Sequence, residues 1–172
     1  MPRRFDETVL PHLDAAFNYA RWLTRDAAEA EDVVQEACVR AMRYFASLRG
    51  DDARGWLFAI VRNTWYSRVG RRKSVSTAPL DHDVHDRPDS GLDPEALLLR
   101  QGSVERVHAA VARLPADFRE VIVLREIEGL SYKEIAAIVQ VPIGTVMSRL
   151  ARARERLAAG LRPAVRLMER VP

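Results

Sequence analysis

Cysteine is nearly missing from this chain. Cys38 stands alone among 172 residues, so no internal disulfide can form and a reducing compartment fits. Aromatic residues are also few, at 7%, against 48% hydrophobic residues overall. Cores are therefore expected to be built from Leu, Val, Ile and Ala. No apolar run approaches the ~18 residues needed to span a bilayer, which argues against membrane insertion. The opening MPRRFDETVLPHLD has no apolar core segment, so no signal peptide is expected. Alternating runs of Val, Ile, Thr and Tyr are missing, whereas Ala, Arg, Leu and Glu abound. That balance points to an all-helical protein. No Gly-rich phosphate loop, metal-spaced cluster or nucleophile constellation is present. An enzyme, a cofactor and a metal site are accordingly not expected. The length suits one domain or two small ones.

The net charge of +3 hides a segregated pattern. Residues 1–73 carry 13 basic and 10 acidic side chains, residues 76–95 carry 1 and 6, and residues 96–172 carry 13 and 8. Two basic segments flank an acidic bridge, and local fields rather than net charge steer a polyanion. The bridge, 74–94, is polar and holds Pro79, Pro88, Pro94 and Gly91, so it reads as a flexible linker. His82 and His85 lie there among Asp81, Asp83 and Asp86; a solvated acidic linker accounts for them better than a metal site.

Helical units are expected on either side. In the first, 7–25 forms one helix with Leu10, Leu13, Phe17, Ala20 and Leu23 inward. Asp26 with Glu29 resembles a cap for the next helix, which runs to about Leu48 on Val33, Val34, Ala37, Cys38, Ala41, Met42 and Phe45. Arg49 to Asp52 is a turn, and a third helix starts near Asp52 with Trp56, Leu57, Ile60 and Val61. In the second unit, a helix over 95–114 buries Leu98, Val104, Val107 and Val111. Another over 116–128 buries Phe118, Val121, Ile122, Leu124 and Ile127, with Gly129 as its stop.

Leu130 to Leu157 carries the sharpest pattern. Ser131 and Glu134 form a capping box, followed by Ile135, Ile138 and Val139 on one helical face. Pro142 then suits the first turn of a second helix. That helix buries Val146, Leu150, Ala153 and Leu157 and exposes Thr145, Ser148, Arg149, Arg152 and Arg156. Two helices joined by a short turn, the second basic outside, make a helix-turn-helix. An ordinary helical hairpin with a solvated basic face has the same spacing. The helix is expected to end near Gly160 and Pro163, leaving a short frayed tail.

A second basic stretch, Arg62 to Lys73, has five cations, no acid, and Trp65 and Tyr66 between them. Cations that track phosphates and rings that stack unpaired bases suit single-stranded DNA. The plain alternative places either ring in the core and leaves the cations as a solvated helix end. Asp32, Gln35 and Glu36 offer acceptors to a basic partner, or a solvated acidic face.

These segments, in this order, resemble the extracytoplasmic-function (ECF) sigma factors of bacterial RNA polymerase, in their two-domain form. Glu31 to Glu36 resembles the helix that docks on core polymerase. Trp56 to Asn63 resembles the segment that reads and melts the −10 element. Leu114 to Leu124 with Gly129 to Ala136, then Pro142 to Val146 with Ser148-Arg149-Leu150, resemble the domain that reads the −35 element. The resemblance implies two small helical domains, a three-to-four-helix bundle over 1–73 and a helix-turn-helix domain over 95–163. It implies core docking through Asp32, Gln35 and Glu36, against the clamp helices of the largest subunit and with the flap of the second largest engaged. It places −10 contacts at Arg54, Trp56, Arg62, Asn63, Arg68, Arg71 and Arg72, with Arg49 to Gly55 as a loop holding a flipped base. It places −35 contacts at Ile143, Gly144, Thr145, Ser148, Arg149 and Arg152. Promoter DNA, core polymerase and an anti-sigma factor are the implied partners, in a bacterial cytoplasm. The alternative is a stand-alone helix-turn-helix repressor or activator. Three positions depart from the family pattern: Gln140 stands where Gly is usual, Met147 where Lys is common, and Ser67 where Asp is common.

Overall fold

The computed structural model describes residues 2–75 and 102–168. Every regular element among them is helical. The first unit holds α1 (Phe5–Thr8), a 3-10 turn (Leu10–His12), α2 (Leu13–Thr24), α3 (Ala27–Tyr44), a second 3-10 turn (Phe45–Ser47) and α4 (Ala53–Val75). The second holds α5 (Ser103–Ala112), α6 (Ala116–Ile122), a π turn (Val123–Ile127), α7 (Tyr132–Val139) and α8 (Ile143–Met168). Most of the expected linker, with its His and Asp cluster, lies outside the described residues, as does Leu98.

Local chemistry sets the ends. The Asp26 carboxylate accepts the Glu29 amide at 2.8 Å and opens α3. The Asp52 carboxylate accepts the Gly55 amide at 2.8 Å and opens α4. Ala53 to Gly55 are therefore helical, and the loop expected over Arg49 to Gly55 stops at Asp52. Gly129, at φ +69°, supplies the left-handed residue that turns the chain toward α7.

In the first unit α2, α3 and α4 pack on one another; in the second α5, α6 and α7 all pack against α8. Val33, Ala37 and Ala41 form the inner stripe of α3, while Tyr19, Leu57, Phe58 and Val61 fill the centre. The core continues into the second unit through Val121 to Leu124, Ile135, Val146 and Leu150.

Several expectations are corrected. The single helix over 7–25 is broken at Pro11, whose missing amide leaves a 3-10 turn. Val9 is buried there and Leu10 turns outward. Met42 is 63% exposed, because it follows Ala41 by one residue and so sits about 100° from the inner stripe. Val104 and Val107 are exposed, since burial along α5 begins at Val111. Ile127 is exposed at the end of the π turn, where one extra residue per turn rotates the side chain outward. Gly102 is an extended N-cap, so α5 starts at Ser103 rather than running unbroken from 95. Finally, α8 continues past Gly160 and Pro163 to Met168. A proline deletes one amide and crowds the carbonyl four residues back, which weakens a helix without forbidding it.

Candidate nucleic-acid interface

Helix α4 carries Arg54, Phe58, Arg62 and Tyr66 at intervals of four, so all four share one side. The Arg62 guanidinium lies 4.6 Å from the Tyr66 ring centroid, and that of Arg54 lies 5.8 Å from the ring of Phe58. Each is a cation over an aromatic face. Asn63 is exposed beside this stripe, and Trp56 is half-buried. Trp65 is 7% exposed and belongs to the core, so it is no stacking platform. Burial, with the nearby Glu120 carboxylate, pushes the Tyr66 hydroxyl up to about 12. It therefore stays protonated and able to donate.

Arg68, Arg71 and Arg72 sit further along α4 and face the acidic side of α3. Arg68 donates to Glu36 at 3.2 Å and Arg71 at 3.5 Å, while Arg40 donates to the same carboxylate at 2.7 Å. Arg68 also lies 4.0 Å from Asp32, and Arg72 pairs with Glu29. Partial burial pushes the Glu36 carboxyl up, but the hydrogen bonds from Arg68 and Arg40 outweigh it and hold the group below its ordinary value. Residues expected to dock a protein and residues expected to hold phosphates thus meet in one ion-pair cluster. Asp32 and Gln35 remain exposed beside it. Their face of α3 continues into exposed Val39 and Met42.

The helix-turn-helix has the local geometry its residues call for. The Ser131 hydroxyl accepts the Glu134 amide at 3.2 Å and the Glu134 carboxylate accepts the Ser131 amide at 2.6 Å. The Ser131 amide first, and then the Ser131 hydroxyl, hydrogen-bond the Glu134 carboxyl and hold it below its ordinary value. Gln140 ends α7 in the left-handed conformation, φ 57° and ψ 47°. A side chain there costs about 1 kcal/mol relative to glycine. Gln140→Gly is therefore expected to stabilise the fold by about that amount, read as a higher urea midpoint. A lower midpoint would mean that the Gln140 side chain offsets its backbone cost.

At the start of α8, Ile143 and Gly144 are exposed and Thr145 is half-buried. The Ser148 hydroxyl donates back to the Thr145 carbonyl at 3.0 Å. Arg149 is half-buried with its guanidinium 3.8 Å from the Asp117 carboxylate, whereas Arg152 is exposed. Arg156 lies over the Phe118 ring at 5.0 Å. Met147 is exposed among them.

Two residues that the sequence pattern did not single out connect the units. Glu120 is 2% exposed and Arg119 4%. The Glu120 carboxylate accepts the Tyr19 hydroxyl at 2.7 Å and Arg62 Nε at 2.5 Å. Arg119 donates to the Trp22 carbonyl at 3.1 Å, and to those of Ala112 and Leu114. A usable signal sits next to them. Val121 to Leu124 is apolar at every position, and a helix without a polar face is covered on all sides.

Residues 8–75 match the family profile described as sigma-70 region 2, and residues 104–157 match that of sigma-70, region 4. The chain is 38% identical over 172 residues to the RNA polymerase sigma-H factor of Pseudomonas aeruginosa, covering 95% of this chain and 89% of that one. It is 38% identical over 148 residues to the ECF RNA polymerase sigma-E factor of Escherichia coli K12, covering 81% and 78%. The chain is an ECF sigma factor. Its fold agrees: the sigma factor RpoE of Bartonella quintana, solved in complex with the anti-sigma factor NepR, superposes with a TM-score of 0.71 at 30% identity, covering 92% of this sigma factor and 96% of that chain. Among the described residues no single helix is long and apolar enough to cross a membrane.

Proposed function

We propose that this sigma factor is a dissociable, non-catalytic specificity subunit that docks on core RNA polymerase through α3, reads the −10 element with α4 and reads the −35 element with α8. The observation that carries this reading is the order of the two family matches along one chain, region 2 and then region 4. A stand-alone helix-turn-helix regulator has no use for the first of these.

In this reading Asp32, Gln35 and Glu36 meet a basic surface on core polymerase, and exposed Val39 and Met42 extend the same face with apolar area. Arg54, Arg62, Arg68, Arg71 and Arg72 hold the DNA backbone near the −10 element. Exposed Asn63 offers both a donor and an acceptor to one unstacked base, so strand separation and base reading occur together. Trp56 flanks it. At the −35 element the first amides of α8, at Ile143 and Gly144, face a phosphate. Thr145, Ser148, Arg149 and Arg152 face the major groove. The units over 1–73 and 95–163, joined through 74–94, then span the two promoter elements. An anti-sigma factor, promoter DNA and the clamp helices and flap of core polymerase are the partners, in the bacterial cytoplasm.

The test is run-off transcription with core polymerase. The wild-type chain should direct initiation that core alone does not, and failure on every genomic promoter offered would overturn the reading. Within that assay, Arg149→Ala should lower initiation at −35-dependent promoters. Loss of one arginine–guanine contact is worth about 1–3 kcal/mol, or about 5- to 150-fold. Core binding should stay intact. A simultaneous loss of core binding would mean that Arg149 supports the fold rather than reading DNA.

A further inference from the structure

The first turns of α8 have two unlike edges. Arg149 and Arg152 follow Met147 by two and five residues, so they stand roughly 200° and 140° round the helix from it. Ile143 precedes Met147 by four residues and Ala151 follows it by four, so these three share one edge. Ile143 is 45% exposed and Met147 52%, and Ala151 is exposed beside them. Neither Ile143 nor Met147 belongs to the core or packs against it. Gly144 lies between the two edges, with nothing within 4 Å of the place its Cβ would take. The helix is bare along that line and can approach a surface closely.

The surrounding charge indicates what covers the apolar edge. From Ile143 to Arg154 the helix has three arginines and no acid. Lys133 is exposed on α7. An apolar strip bordered by cations suits a polyanion that carries an apolar group between its charges. Duplex DNA has one such group: the C5-methyl of thymine, set in the major groove between two rows of phosphates. The other base edges there are hydrogen-bonding groups. Isoleucine offers them nothing, and the methionine thioether is only a weak acceptor. Against cytosine, adenine or guanine, these side chains take water from polar groups and return little. Against thymine they bury a methyl that needs no partner. Residues four apart on a helix are roughly 6 Å apart at Cβ, about two base-pair steps of roughly 3.4 Å, so Ile143 and Met147 together cover neighbouring base pairs.

We propose that Ile143 and Met147 are specificity-determining residues that read thymine in the −35 element by its methyl group. This rests on the reading of α8 as the −35 helix. The Ile143 amide still holds a phosphate, because the methyl contact uses the side chain. The arginine edge reads guanine and the apolar edge reads thymine. Burial of one methyl group is worth about fourfold in binding.

The experiment uses holoenzyme assembled from the full chain and core polymerase, on a genomic promoter that it transcribes. From a library of that promoter with a randomised −35 region, templates retained in heparin-resistant complexes are sequenced. The wild type should enrich thymine, on either strand, at one or two positions. Deoxyuridine in place of those thymines removes only the methyl groups. It should lower run-off initiation about fourfold for each. Ile143→Ser/Met147→Lys alters two exposed positions and spares the core. It should be indifferent to deoxyuridine and should shift the enriched base toward guanine, whose O6 and N7 accept from an ammonium. Enrichment without thymine, or deoxyuridine without effect on the wild type, overturns the methyl reading and leaves α8 standing as the −35 helix. An equal deoxyuridine loss in wild type and double variant overturns the assignment to this edge. No −35 enrichment by the wild type overturns the reading of α8, and the proposal with it.

Discussion

Core polymerase should lose about 2–5 kcal/mol of affinity for the Asp32→Ala/Glu36→Ala protein, about 30- to 4000-fold, as expected when one side of a desolvated charge pair is cut away. Fluorescence titration of labelled sigma factor with core polymerase measures it directly, and run-off transcription should fall in parallel. The assignment of α3 as the docking face would be lost if affinity stayed within twofold of wild type. Glu36 has a second role, because Arg40, Arg68 and Arg71 converge on it. Its removal leaves three cations without that acceptor. Asp32→Ala/Gln35→Ala is the cleaner companion, since both side chains are exposed and surface ion pairs contribute about 0–1 kcal/mol to folding. If only the Glu36 variant lost core affinity, the cluster and not the exposed acceptors would be what core polymerase recognises.

Phe58→Ala should destabilise the fold by about 3–5 kcal/mol, the usual cost of emptying a buried phenylalanine site. Phe58 is fully buried, and its ring meets that of Tyr19 with centroids 5.1 Å apart. It lies one helical turn from both Arg54 and Arg62, so a cavity there undermines the stripe of α4 that faces the second unit. Domains of this size hold only about 5–15 kcal/mol in total, which makes the loss a large share. Urea unfolding followed by circular dichroism reads it as a lower midpoint with an unchanged slope. A loss below about 1 kcal/mol would mean that Tyr19, Leu57 and Val61 collapse into the space.

The parts legible in the sequence are those fixed by relations within a few residues. Ser131 with Glu134, Asp26 with Glu29, Gly129 at the turn and the stripe Val146, Leu150, Ala153 and Leu157 are all of that kind. So is Gln140, whose left-handed backbone accords with its place in the turn. The missed features need neighbours that spacing does not report. Val104, Val107, Met42 and Ile127 are apolar residues at helical intervals, and only the presence or absence of a packing partner decides whether such a residue is buried. The π turn inserts a residue that no local signal marks, and it shifts the helical phase of Ile127 at its end. Arg119 and Glu120 resemble any solvated charge pair until Trp22, Tyr19 and Arg62 are brought against them. The candidate site divides the same way. The cations of α4 and the acidic face of α3 could each be picked out, but not that they lie across from one another, nor that Glu120 of α6 meets Arg62.

Those carboxylates have a thermodynamic consequence. A cation that surrenders a mobile anion, or displaces a condensed counterion from DNA, contributes to the steep fall of affinity with ionic strength, close to one unit of logarithmic slope per neutralised phosphate. In this sigma factor Arg62, Arg68, Arg71 and Arg72 are already satisfied by Glu120, Glu36 and Glu29. Each phosphate contact made by one of them first breaks a tethered ion pair, which salt also weakens. The two dependences have opposite signs. A plot of log K against log salt will therefore be shallower than the number of arginine–phosphate contacts, and counting contacts from that slope would underestimate how much of α4 touches the promoter.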